Sequence, residues 1–145
     1  MKWGEIQIIT LQKMFAKDEP MTIDKLESYK EDDDCKVYIA GMPAVANEAI
    51  QRVARHCQNR YEYNSKTKKY EKVEIVKITS ETSAEDEIDL PESACVLIPL
   101  YMASQLYKDD DVAQATAYRN EFEVGLADLD VEIDNPHQIE NVWEV

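Results

Sequence analysis

Glycine is scarce in this chain, with 3 residues among 145, where average usage of about 7% would give roughly ten. That disfavours glycine-hungry architectures such as nucleotide-binding α/β folds, propellers and sandwiches. It favours helices, whose interiors exclude glycine. Long apolar runs are also missing. The best candidate, Ala94 to Met102, is interrupted by Pro99, and a membrane span needs about 20 apolar residues. The start, Met1-Lys2-Trp3-Gly4, lacks the charged-then-apolar layout of a signal peptide. Histidine and cysteine are few. Cys35, Cys57 and Cys95 are an odd number with no Cys-x-x-Cys pair, which predicts reduced, at least partly buried thiols in a cytosolic product. His56 and His137 have no zinc-ligand spacing around them.

Basic residues are missing from one half. Residues 1–79 hold 14 basic and 13 acidic side chains, whereas residues 80–145 hold 2 basic (Lys108 and Arg119) and 17 acidic. The net charge of −14 therefore sits almost wholly in the second half. Such a surface repels nucleic acid and other copies of itself, so it solubilises, faces DNA without holding it, or docks on a basic partner.

What is present is helical periodicity. Gly4–Phe15 reads as a first helix, with Ile6, Ile9 and Lys13 on one face and Ile8, Leu11, Met14 and Phe15 beside it. Thr22 offers an N-cap to a short helix over Ile23–Tyr29. Met42, Val45, Ala46, Ala49, Ile50, Val53, Ala54 and Cys57 form a full apolar stripe. Pro43 either opens that helix or lies inside a longer one beginning near Cys35. Leu90-Pro91 opens a late helix with core positions Val96, Leu97, Leu100, Tyr101, Ser104 and Tyr107, and Pro99 should bend it. After a short connection, Asp110 or Asp111 caps a last helix. Its face is Ala115, Phe122, Leu126 and Leu129, supported by Val112, Tyr118 and Gly125.

Between these halves the pattern changes. Tyr61 and Tyr63 alternate with polar residues, Asn64-Ser65-Lys66-Thr67 reads as a turn, and Tyr70–Thr79 is rich in β-branched residues including Val73 and Ile75. This predicts a β-hairpin. It carries Arg60, Lys66, Lys68, Lys69, Lys72 and Lys77 against Glu62, Glu71 and Glu74. Two strands alone are marginal in water, so the hairpin should pack on the helices or on another chain. The expected fold is mainly α, a helical bundle of about four to five helices with one inserted β-hairpin. It is organised as a single domain over residues 1–130 with the insertion near 60–79, an acidic linker over Ser80–Asp89, and an acidic C-terminal tail over 131–145.

Chemistry-bearing motifs do not emerge. Asp109-Asp110-Asp111 lacks the glycine and the spaced ligands of a calcium loop, and reads as a loop with a helix cap. His56 and Cys57 are neighbours on a helix, about 100° apart, and do not make a thiol–imidazole pair. There is no nucleophile elbow and no phosphate loop. We therefore expect no enzyme, no cofactor, no metal and no membrane partner. The candidate docking residues are Tyr61, Tyr63, Lys66, Lys68, Lys69 and Lys72 on the hairpin and Trp143 in the tail, where Ile139, Val142 and Val145 add an apolar anchor. The hairpin's local positive excess complements the acidic half. A contact from one copy to the next through these surfaces would be heterologous and would close into a ring.

Two stretches look familiar. One runs from Tyr38 to Ala54 around Asn47-Glu48-Ala49. The other runs from Leu90-Pro91 through Tyr107 and across Asp109-Asp110-Asp111 to Phe122 and Glu123. Together they resemble the small helical head–tail connector (neck or adaptor) proteins of tailed bacteriophages and prophages. The resemblance covers roughly residues 5–128 and consists of packing patterns. It implies a homo-oligomeric ring in the virion neck, assembled in the host bacterial cytoplasm. That ring would dock on the portal protein, let double-stranded DNA pass without sequence-specific binding, and join tail or stopper proteins. It implies no catalytic residues. The alternatives are an acidic DNA-mimic inhibitor of a host enzyme, or a tail-completion protein.

Overall fold

The computed structural model describes residues 1–15, 19–57, 61–72 and 77–143, with side chains described for all of these except 61, 62, 71, 72 and 130–143. In chain order the elements are α1 (Trp3–Met14), a 3-10 turn (Ile23–Lys25) leading into α2 (Leu26–Glu31), α3 (Lys36–Ala54), β1 (Tyr61–Asn64), β2 (Lys69–Lys72), α4 (Glu92–Cys95), α5 (Ile98–Tyr107) and α6 (Val112–Trp143). The protein is mainly α, a helical bundle with one inserted β-hairpin.

Helix α5 is the hub and packs against α1, α3 and α6. Its sequence requires this. Ile98, Pro99, Tyr101, Met102, Ala103 and Ser104 are buried, so apolar side chains point nearly all round, as in a helix enclosed by others. The buried hydroxyls of Thr10 and Ser104 turn back onto their own helices: Thr10 donates to the Ile6 carbonyl and Ser104 to the Tyr101 carbonyl, both at 2.7 Å. Helix α1 is similarly enclosed. Trp3, Gln7 and Thr10 are buried along with Ile6, Ile8, Leu11 and Met14, whereas Ile9 and Lys13, placed on the core face by periodicity, are only half-buried.

Helix α3 starts at Lys36, so of the two readings of Pro43 the longer helix beginning near Cys35 is the one found, and the buried stripe extends back to Ile39. Two expectations change. Pro99 does not bend one long helix. Helix α4 ends at Cys95, Val96 and Leu97 form a turn, and α5 restarts with Pro99 in its first turn, where the missing N–H has no helical partner to lose. The break rotates Val96 outward to 45% exposure while Leu97 stays buried. Thr22 precedes the 3-10 turn without a side-chain cap bond.

The acidic stretch before α4 is more than a linker. The N–H groups of Trp3 and Gly4 donate to the carbonyls of Asp86 (2.8 Å) and Ala84 (2.9 Å), and Ile88 N–H donates to the Met1 carbonyl (3.0 Å). Lys2 and Glu87 make an antiparallel bridge. The loop thus supplies acceptors for donors that every helix start leaves unsatisfied. Helix α6 opens as predicted, with Gln114 N–H donating to the Asp111 carboxylate at 3.0 Å. Ala115, Phe122, Leu126 and Leu129 are buried beneath it, but Val112 is 69% exposed and adds nothing to that face. The helical backbone continues through Pro136 to Trp143.

Candidate docking hairpin

Strands β1 and β2 pair antiparallel, with Tyr61 opposite Lys72, Glu62 opposite Glu71, Tyr63 opposite Tyr70 and Asn64 opposite Lys69. Asn64 builds the connecting loop. Its side-chain oxygen accepts from Lys66 N–H (2.9 Å) and its carbonyl from Lys68 N–H (2.8 Å), the local bonding that makes asparagine a turn former. The loop closes with Lys68 at φ 57°, a left-handed conformation that costs a lysine about 1 kcal/mol and keeps a cation at the loop.

Tyr63 and Tyr70 face each other edge-to-face, with ring centroids 5.4 Å apart. They remain 57% and 74% exposed. Lys66, Lys68, Lys69 and Lys77 are exposed and have no carboxylate partner among the described residues. Most cations of the helical body are placed differently, Arg55 and Lys108 excepted, which are exposed as well. Lys2, Lys25, Lys30, Lys36 and Arg119 each sit within 2.7–3.3 Å of a carboxylate, and Lys13 and Arg52 lie over the Tyr118 and Tyr101 rings. Among the described residues each strand packs chiefly on the other.

The chain returns from the hairpin at Ile78, which is buried. There Asn47 of α3 donates through Nδ2 to the Ile78 carbonyl at 2.8 Å and accepts Ile78 N–H through Oδ1 at 2.9 Å. Sequence reasoning missed this anchor. Its only signal was an amide flanking the apolar stripe.

The structure therefore gathers six of the predicted docking positions, Tyr61, Tyr63, Lys66, Lys68, Lys69 and Lys72, on one hairpin. Tyr70 joins them. Trp143 is the last residue of α6. The side chains of Tyr61, Lys72, Ile139, Val142 and Trp143, together with Arg60, Val73, Ile75 and Val145, lie outside the description. On the acidic side, Glu121, Val124 and Asp128 are exposed on α6.

Elsewhere, a groove of about 540 Å³ runs between α1, α2, α3 and the 79–84 loop, with Trp3, Gln7, Lys30, Lys36 and Pro43 in its walls. Cys35, Cys57 and Cys95 are buried, and none forms a disulfide. Burial pushes the Cys95 thiol above its ordinary value. Among the described residues, no group of three or more His, Cys, Asp or Glu side chains is placed to hold a metal, and no helix is long and apolar enough to cross a membrane.

The chain matches no protein-family model, no curated protein and no solved structure.

Proposed function

We propose that this protein is a structural head–tail connector of a tailed phage or prophage, acting by assembly and without catalysis. The observation that carries the reading is the hairpin. Two exposed tyrosines and a set of lysines without carboxylate partners among the described residues project from a body whose other half is strongly acidic. Tyrosines in contact with each other lose little further freedom on docking, and such residues dominate interface energies. The resemblance of Tyr38–Ala54 and Leu90–Glu123 to connector proteins supplies the setting. In it, copies form a ring in the virion neck that docks on portal and joins tail or stopper proteins, the hairpin makes subunit or portal contacts, and the carboxylates let DNA pass because phosphates gain nothing from them.

Purified protein mixed with portal rings tests the reading. Co-sedimentation with portal is expected, with loss when Tyr63 and Tyr70 are both changed to alanine. A chain that associates with no portal, tail or stopper component would overturn it.

A further inference from the structure

We infer that the hairpin of one copy docks on the outer stripe of α6 in a second copy, with Tyr63 and Tyr70 covering Val124 and the loop lysines Lys66 and Lys68 meeting Glu121 and Asp128. The inference rests on the ring proposed above and names the surface that builds it.

The α6 stripe is defined by periodicity. Ala115, Phe122, Leu126 and Leu129 face the core, so the residues half a turn away face out. Glu121, Val124 and Asp128 are offset by 3 and 7 and share one face. Val124 is 62% exposed, and both carboxylates are exposed without a basic partner among the described residues. Arg119, the nearest cation in sequence, is bound at 3.0 Å to Glu123 on a different face. Ala117, one turn before Glu121, is exposed and small, which leaves room for a ring to lie against the helix.

The two surfaces are opposites in both chemistries. On the hairpin, an aromatic pair lies beside lysines; on α6, an exposed valine lies between carboxylates. Along the helix axis Glu121 and Asp128 lie about 4.5 and 6 Å to either side of Val124, so both carboxylates border the position a ring on Val124 would take. A contact between different surfaces of identical chains repeats head to tail and closes into a ring when the rotation permits. A second copy is favoured over duplex DNA as occupant. The chain's charge of −14 opposes DNA as a whole, whereas this contact brings opposite charges together locally.

Charge-swapped variants test it, with mass measured by sedimentation velocity at low ionic strength. The unmodified chain should self-associate at high concentration and dissociate in molar salt, which screens exposed pairs. K66E/K68E and E121K/D128K should each weaken self-association by roughly 100-fold, since like charges then face each other. An equimolar mixture of the two variants should associate again, because the acidic hairpin of one meets the basic helix of the other. Each variant should keep the thermal midpoint of the unmodified protein.

An unmodified chain that stays monomeric at millimolar concentration, a variant that associates normally, or a mixture that fails to recover would each overturn the contact. So would a hairpin whose lysines retain duplex DNA in a gel shift while self-association ignores them. Portal co-sedimentation separates this inference from the connector reading: a chain that binds portal rings but never its own copies loses the contact and keeps the connector role.

Discussion

The carboxamide of Asn47 grips both backbone polar groups of Ile78, with hydrogen bonds of 2.8 and 2.9 Å. A helix side chain here does what a neighbouring strand would do, and so fixes where the hairpin rejoins the bundle. Ile78 is buried, so removing the amide strands an N–H and a carbonyl away from water. Asn47→Ala is expected to cost about 1–3 kcal/mol, a fall of roughly 2–10 °C in melting temperature for a chain of this size. Faster hydrogen exchange at the Ile78 amide should accompany it. Asn47→Asp keeps the acceptor, loses the donor, and should be destabilising too. An unchanged melting point in the alanine variant would mean the anchor is dispensable.

What could be read from sequence followed the contrast between faces. Helix α3 was legible because Met42, Ala46, Ala49, Ile50 and Val53 alternate with charged and amide residues at a clear helical period. The last helix was legible for the same reason at Phe122, Leu126 and Leu129. The hairpin showed in the tyrosine alternation and its asparagine-led turn. Between Ala94 and Met102 nearly every residue is apolar, so no phase exists to betray the break that turns Val96 outward. The loop from Ala84 to Ile88 looks like a solvated linker because its bonds to Trp3 and Gly4 run through backbone atoms, and its two pairing carboxylates, Glu87 with the Met1 ammonium and Glu85 with Lys2, look like any others in an acidic run. Within the docking hairpin, residue types marked Tyr63 and the lysines. The anchor at Asn47 depends on a contact 31 residues away in sequence, which no local pattern encodes.

Two glycines mark close approaches of different severity. A Cβ on Gly4 would lie 2.8 Å from the Ala84 Cβ and 3.0 Å from its carbonyl oxygen, the same oxygen that accepts Gly4 N–H. Backbone and a stub side chain cannot swing aside. A Cβ on Gly125 would meet the Leu97 Cδ2 at 2.3 Å, the free end of a side chain that can change rotamer. Gly4→Ala should therefore cost about 2–3 kcal/mol, and Gly125→Ala about 1 kcal/mol after its gain in helix propensity. Chemical denaturation of both variants checks the order; the reverse order would refute the account.

Tyr38 links α3 to the turn between α5 and α6. Its hydroxyl donates to the Asp110 carboxylate, and its ring sits edge-on to Phe15 and Tyr107 at 5.7 and 6.1 Å. That hydrogen bond to Asp110, helped by burial, pushes the Tyr38 phenol up from 10.0 to about 12. The folded state thus holds this proton more tightly than the unfolded chain. The stabilisation is complete below pH 10 and is lost as pH rises from 10 towards 12. Burial raises the Tyr107 phenol as well, so spectrophotometric titration should show late-ionising tyrosines, with one fewer in Tyr38→Phe. The melting difference between the two proteins should shrink across the same range.

The exposed tyrosine pair should matter little to folding. Tyr63 and Tyr70 touch each other and leave most of their surface in water, so alanine at both positions should change global stability by no more than about 0.5–1 kcal/mol. The same double variant is expected to lose association with its partner. A large drop in melting temperature would instead show that these rings hold the bundle together.

Gln7 presents a different case, a side chain whose body is buried while its amide opens onto the groove. It is 5% exposed as a residue, and its carboxamide makes no hydrogen bond to any described residue. No buried side-chain nitrogen or oxygen among the described residues lacks a partner, so that amide keeps its access to the groove beside Trp3 and Pro43. Thr10 and Ser104, the other buried polar residues, both satisfy themselves on a carbonyl. An amide that still reaches water keeps most of its hydration and carries little desolvation cost, so an apolar group of similar shape in its place is close to neutral. Gln7→Leu should therefore leave the melting temperature nearly unchanged, within about 0.5–1 kcal/mol of stability. Gln7→Ala should lower it, because it removes packing beside Trp3 and leaves space in the wall. Equal losses in both variants would show that the amide itself is bound, through ordered water in the groove, and that its polarity does contribute to the fold.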